Sequence, residues 1–221
     1  MDGKHWGNNT EDLHPADWAQ LVYKTLAPLY PDIRPALQFT NPFQLLVATV
    51  LSAQCTDERV NQVTPALFER FPNPESMAMA DRAELEELIY STGFYHTKAR
   101  ALLDLSQALV TQFGGTVPDT MEDLTSLRGV GRKTASVILS ACYHKPALIV
   151  DTHVSRLCLR LGFTTTRDPD KVEAALARLY QKNQWITIGH CLNQHGRKAC
   201  TARKPHCTAC PLSTYCPKVG V

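Results

Sequence analysis

The stretch Leu124-Thr-Ser-Leu-Arg-Gly-Val-Gly-Arg-Lys-Thr-Ala-Ser-Val-Ile-Leu139 decides how this chain folds. Leu124 and Leu127 keep a helical spacing, Gly129 and Gly131 flank Val130 in a tight turn, and a second helix opens near Arg132. Glycines at both positions permit positive φ and a close approach of the backbone to a partner. The turn presents its own N–H groups together with the free ones of the next helix's first turn, an arrangement suited to an anion such as a phosphate. Leu124, Leu127, Val130, Ala135, Ile138 and Leu139 hold the two helices together on this reading. A plain helical hairpin with glycine placed for packing fits the same turn. The flanking L-x-x-L and G-R-K-T-A favour the anion site.

Helical periodicity continues on both sides. Pro15 precedes Trp18, Leu21, Val22 and Leu26, and Asn41-Pro42 caps and opens a helix through Phe43, Leu46, Val47 and Val50. A third helix starts with Asp57 as its cap and ends near Phe71, before the break Pro72-Asn73-Pro74. Asp81–Tyr90 is stopped by Gly93, and His96–Phe113 by Gly114-Gly115. Further helices are read at Met121–Leu127, Lys133–Tyr143, Thr152–Leu161, Pro169–Tyr180 and Trp185–His195, the last closed by Gly196. Only Ala147–Val150 reads as extended, too short for more than a connector. The class is all-α, with ten or so short helices and no repeat or low-complexity tract.

The chain has 221 residues, 23 basic and 21 acidic, for a net charge of +2. With 44% hydrophobic and 20% charged residues it is an ordinary globular composition, which excludes a disordered chain. The longest apolar stretch, Leu45–Ala53, has about nine residues against the ~20 of a spanning helix. The start, MDGKHWGNNTEDLHPADW, lacks an apolar core and carries acids, so it reads as neither signal nor transit peptide. The expected compartment is therefore intracellular, where thiols stay reduced.

Lys133 falls in the first turn of the helix leaving the hairpin. The positive end of the helix dipole disfavours an ammonium there, and partial burial would disfavour it further. The neutral amine so favoured is a nucleophile able to form a Schiff base. Asp151 lies eighteen residues on. The helix Lys133–Tyr143 rises ~15 Å and an extended return from Lys145 covers up to ~20 Å, so the two side chains can meet near the hairpin. Asp151 also reads as the N-cap of Thr152–Leu161. The two roles are compatible, because a capping carboxylate is held in place.

Eight cysteines in a reducing compartment need an explanation other than disulfides. Cys55, Cys142, Cys158 and Cys191 stand singly among apolar neighbours and read as small core residues. Cys200, Cys207, Cys210 and Cys216 form C-x6-C-x2-C-x5-C within seventeen residues. One tight pair and two wide spacings fit structural zinc poorly, and common ferredoxin spacings do not match, which leaves a metal or an iron–sulfur cluster.

The hairpin resembles a helix-hairpin-helix motif, which binds DNA backbones without regard to sequence. Taken together, LSAQCTD (51–57), TGFYHTKA (92–99), LRGVGRKTASVIL (127–139), VDTHVSRL (150–157) and HGRKACTARKPHCTACPLSTYC (195–216) strongly resemble the endonuclease III family of DNA glycosylases. The resemblance runs from about residue 16 to 216. It implies two helical domains with a DNA-binding cleft between them: a six-helix domain with the hairpin at 35–145, and a cluster domain built from 16–34 plus 146–221. It makes Lys133 the catalytic lysine and Asp151 the catalytic aspartate. Cys200, Cys207, Cys210 and Cys216 become ligands of a 4Fe-4S cluster that is not the reactive centre. Gln54 matches a glutamine that enters the space vacated by a flipped base, and His153 lies near the pocket or serves as a structural histidine.

The activity so implied is base excision repair of oxidised pyrimidines and abasic sites in duplex DNA by a monomer. Lys133 attacks C1′ of an extruded nucleotide, and β-elimination then cuts the strand. The location implied is the cytoplasm, at the nucleoid of a bacterium. Phe94 replaces a leucine wedge, Arg128 a proline and Cys55 an alanine, which bears on damage preference rather than on the reaction. An adenine glycosylase of the same fold lacks the lysine and adds a domain, and an oxoguanine glycosylase usually lacks the cysteines. From another class, a non-catalytic DNA-binding protein with a structural cluster would tolerate arginine at 133.

The net charge divides unevenly. Residues 124–160 and 192–221 each carry +5, and the remainder −8. Arg128, Gly129, Val130, Gly131, Arg132, Arg203 and Lys204 are accordingly expected, with Gln54, Phe94 and His153, on a DNA-binding face.

Overall fold

The computed structural model describes residues 13–33 and 35–221; most of the N-terminal segment read as no leader lies outside them. The described residues are helical and contain no strand. In chain order the helices are α1 (Pro15–Leu26), α2 (Pro42–Leu51), α3 (Asp57–Arg70), α4 (Pro74–Ala78), α5 (Arg82–Ile89) and α6 (Tyr95–Phe113). They continue as α7 (Met121–Ser126), α8 (Arg132–Tyr143), α9 (Thr152–Arg160), α10 (Pro169–Leu179) and α11 (Trp185–Lys198). The all-α expectation holds.

The chain forms two compact units, one of residues 35–145 and one that joins 13–33 to 146–221. In the first, α6 packs against α2, α4 and α5, while α8 packs against α2 and α7. Leu45, Leu46, Leu102, Leu105, Leu124 and Ile138 are fully buried there. In the second, α11 packs against α1 and α9. Its core holds Trp18, Val22, Leu26, Leu157, Leu176 and Ile188. The Trp18 indole N–H donates to Leu161 O at 2.9 Å, and the Tyr180 hydroxyl to Ala19 O at 3.0 Å, so both large aromatics enter the core with their polar atoms paired.

Four local expectations are corrected. Pro72-Asn73-Pro74 is not only a break, because Asn73 and Ser76 form a capping box that opens α4. Thr56, not Asp57, caps α3, with its hydroxyl accepting from Arg59 N. The helix before Gly93 ends at Ile89, and a 3-10 turn, Tyr90–Thr92, intervenes. Gly196 does not close α11, which runs on to Lys198. A Cβ on Gly196 would lie 3.0 Å from His153 Cβ and 3.1 Å from Leu157 Cδ1, so this glycine admits α9 rather than ending α11.

Candidate functional site

In the unit of residues 35–145 the hairpin has the expected form. Leu127 ends α7, Val130 N donates to Leu127 O at 3.1 Å, and Leu124, Leu127 and Val130 are buried against α8. Only Gly129 uses positive φ, at 83°. Gly131 has φ −88° and is the N-cap of α8, where no side chain makes a capping hydrogen bond. Its lack of a side chain leaves the N-terminal amides of α8 open to an incoming anion. Lys133, the second residue of α8, is exposed rather than partly buried. Arg132 is also exposed, and the Arg128 guanidinium pairs with Asp104 on α6.

Three exposed side chains in this unit stand on left-handed backbone: His144, which ends α8, and Gln54 and Phe94. Gln54, in the turn after α2, has φ 54°, and Phe94, at the start of α6, has φ 52° and is 64% exposed. Non-glycine residues in that region are uncommon, and such strain gathers at functional sites.

The second unit holds Asp151. Its Oδ1 accepts from His153 N and Val154 N, both at 2.9 Å, which makes it the N-cap of α9. Its Oδ2 accepts from Asn193 Nδ2 on α11 at 2.7 Å. Both oxygens are thus engaged, and the half-buried carboxylate has one orientation. His153 accepts at Nδ1 from Arg156 Nη2 at 3.1 Å, a structural bond within α9. Lys133 and Asp151 belong to different units.

The cysteine loop is anchored on α9 by two buried arginines. Arg156 donates to Gly196 O at 2.7 Å and to Cys200 O at 3.1 Å. Arg160 donates to Thr201 O at 2.7 Å, Ala202 O at 2.9 Å and Cys200 Sγ at 3.3 Å. These two positive charges are spent inside the protein, which corrects their place in the basic-face estimate. The loop carries Arg203 and Lys204 exposed. Cys200, Cys207, Cys210 and Cys216 all line one cavity walled by Leu157, Leu161 and Leu212. His195 reaches it too, with Nε2 at 3.4 Å from Cys210 Sγ and Nδ1 at 3.1 Å from the Tyr30 hydroxyl.

The profile described as "HhH-GPD superfamily base excision DNA repair protein" matches residues 47–182, and that for the "iron-sulfur binding domain of endonuclease III" matches 200–216. Endonuclease III of Synechocystis sp. is 48% identical over 193 residues, covering 87% of this chain and 88% of its own length. That of Bacillus subtilis is 41% identical, covering 85% and 86%. A trapped endonuclease III–DNA covalent intermediate superposes with a TM-score of 0.87 at 39% identity, over 92% of this chain and 96% of that one.

The chain belongs to the endonuclease III family. As a member it is a DNA glycosylase and AP lyase of base excision repair, acts on DNA and carries a 4Fe-4S cluster. That sets aside the non-catalytic reading. No described helix is long and apolar enough to cross a membrane.

The donor set in the loop, four cysteines lining one cavity, fits the cluster of an endonuclease III, whose four irons each take one thiolate. Burial pushes the Cys216 thiol up to about 11, and the other three cysteines add to this. Such thiols need a cationic centre to ionise beside one another, and iron supplies it.

Three contributors escaped the sequence reading. Asn193 carried no signal, since an asparagine within an apolar-periodic helix reads as a surface residue. Arg156 and Arg160 were legible only as charge, although their i, i+4 spacing puts them on one face of α9.

Proposed function

We propose that Lys133 is the nucleophile of a base-excision reaction on oxidised pyrimidines and that Asp151 assists it. The observation that carries the reading is the placement of Lys133. It stands exposed in the first turn of α8, directly behind a hairpin whose amides suit a DNA phosphate. A residue that only bound phosphate would not need an amine.

The lesion nucleotide leaves the stack because its C1′ is shielded within the duplex. Gln54 and Phe94, exposed on their turns, enter the space it vacates. The Lys133 amine attacks C1′. The C1′–N bond breaks, its electron pair leaves with the base, and the base takes up a proton. Ring opening gives a Schiff base between Lys133 Nζ and C1′. Loss of a C2′ proton then expels the 3′ phosphate, cutting the strand, and water releases the lysine. Asp151, fixed by three hydrogen bonds, stabilises positive charge developing on the sugar and assists the proton transfers.

Residues 35–145 serve as the helix-hairpin-helix domain in this proposal, and 16–34 with 146–221 as the cluster domain. Gly129, Val130, Gly131, Arg128 and Arg132 bind backbone phosphate, with His153 near the pocket. Cys200, Cys207, Cys210 and Cys216 hold the cluster, which fixes the loop carrying Arg203 and Lys204. The protein works as a monomer in a bacterial cytoplasm, at the nucleoid.

Borohydride reduction tests this. Mixed with abasic-site duplex, the protein is expected to give a covalent protein–DNA adduct that Lys133→Ala abolishes. An undiminished adduct from Lys133→Ala would move the nucleophile elsewhere.

A further inference from the structure

The two turns that carry Gln54 and Phe94 share one buried cation. Helix α2 ends at Leu51 and the 3-10 turn Tyr90–Thr92 ends at Thr92, so each leaves a carbonyl pointing off its C-terminus. Lys98, in the second turn of α6 and only 5% exposed, meets both. Its ammonium donates to Leu51 O and to Thr92 O, each at 2.8 Å. Gln54 follows Leu51 by three residues and Phe94 follows Thr92 by two, and both are left-handed.

We propose that Lys98 is a positioning residue that locks the Gln54 turn and the Phe94 turn at a fixed separation, so that both enter the DNA as one wedge. This rests on the reading of Gln54 and Phe94 as the intruding residues.

Three observations support it. Both acceptors are the last residues of the elements that lead into the two turns, so one ammonium ties the end of α2 to the end of the 3-10 turn Tyr90–Thr92. Burying an ammonium is costly, and desolvation lowers the Lys98 pKa. An apolar side chain would occupy the space at less cost, so the cation at this position is accounted for by the two carbonyls it joins. Both carbonyls are also the negative ends of short helices, where a cation is favoured. Freed from Lys98, each left-handed turn can relax independently, and a displacement of about 1 Å at the wedge is enough to cost a large factor in rate.

The test compares Lys98→Met, which keeps the volume and removes the donors, with wild type, Gln54→Ala and Phe94→Ala. The substrates are one abasic-site oligonucleotide, single-stranded or paired with a strand carrying 2-aminopurine opposite the site. A single strand has no vacated space to fill. Lys98→Met is expected to lose about tenfold or more in duplex nicking and most of the 2-aminopurine fluorescence rise. Its borohydride trapping on the single strand should stay within about twofold of wild type. The double variant Lys98→Met/Gln54→Ala should fall little below the worse single one, because both act through one wedge.

Equal losses on single and double strands would reduce Lys98 to a fold-stabilising residue and overturn the proposal. So would wild-type duplex behaviour of Lys98→Met alongside damaged Gln54→Ala or Phe94→Ala. If those two variants lose nothing, the intrusion reading itself fails, a separate result. Should Lys98→Met not fold, Lys98→Gln, which retains a shorter donor, carries the same comparison.

Discussion

Asn193 Nδ2 donates to Asp151 Oδ2 at 2.7 Å, and this bond from α11 completes the set that holds the Asp151 carboxylate. The other oxygen is bound by the first turn of α9. Without Asn193 the carboxylate remains a cap but is free to turn about its own axis. Asn193→Leu is expected to slow base release about tenfold, since a hydrogen bond to a charged group is worth roughly 1.5–3 kcal/mol. The melting temperature should fall by a few degrees as well, since the same bond to a half-buried charge is lost while the cap remains. Single-turnover base release measures the effect. Wild-type rates in Asn193→Leu would mean that the cap alone orients Asp151.

Acid should loosen the unit that contains α11 through His190. Burial holds the His190 imidazole below its ordinary 6.5, with Lys198 adding to this and Asp32 opposing it. Just below pH 6.5 the unfolded chain therefore binds a proton that the folded chain does not. Stability rises with pH across that window and is lost as pH falls from 6.5 toward the folded value. Thermal melts between pH 7.5 and 5 should show the loss. His190→Asn, which cannot titrate, should shrink it without abolishing it, because burial also holds His195 on the same helix below 6.5, and an unchanged slope in that variant would place the acid sensitivity elsewhere.

Gly196 gives a sharper packing test. Alanine at this helical position gains about 1 kcal/mol in propensity. Its Cβ, however, would stand 3.0 Å from His153 Cβ and 3.3 Å from Arg156 Nη2, and the first of these atoms moves only with the α9 backbone. Overpacking of this kind costs about 1–3 kcal/mol, so a net loss is expected. A lower melting temperature and faster bleaching of the cluster colour should appear together, because Arg156 also holds Cys200 O. A stabilised Gly196→Ala would show that α9 and α11 can separate at no cost.

These variants also mark where the sequence could be read. The hairpin was legible because Leu124, Leu127, Ala135 and Ile138 repeat at helical spacing around a glycine pair, a purely local pattern. The Asp151 cap was legible for the same reason. Helix α4 was not, since five residues are too few to show a period. Gly196 was misread as a stop because the reason for it lies on α9, distant in sequence. Arg156 and Arg160 entered the count as free charge because burial leaves no mark on composition. The left-handed backbone at Gln54 and Phe94 was not legible because neither glutamine nor phenylalanine prefers that region.

The corrected charge distribution changes what salt should do. Arg156 and Arg160 are buried, Arg128 is paired with Asp104, and Lys145 with Asp119. The exposed basic residues of the hairpin and the cluster loop then include Arg128, Arg132, Lys133, Arg203, Lys204 and Lys218, with Arg197 and Lys198 at the end of α11. Each phosphate contact contributes about −0.9 to the slope of log K against log salt. Replacing Arg203 and Lys204 together by alanine should make that slope shallower by about 2, with a roughly uniform loss of affinity across DNA sequences. Lys145→Ala should leave the slope unaltered, as its charge is already neutralised by Asp119. Fluorescence anisotropy on an abasic-analogue duplex from 50 to 200 mM salt provides the comparison. An unchanged slope in the Arg203 and Lys204 double variant would remove the cluster loop from the DNA-binding face.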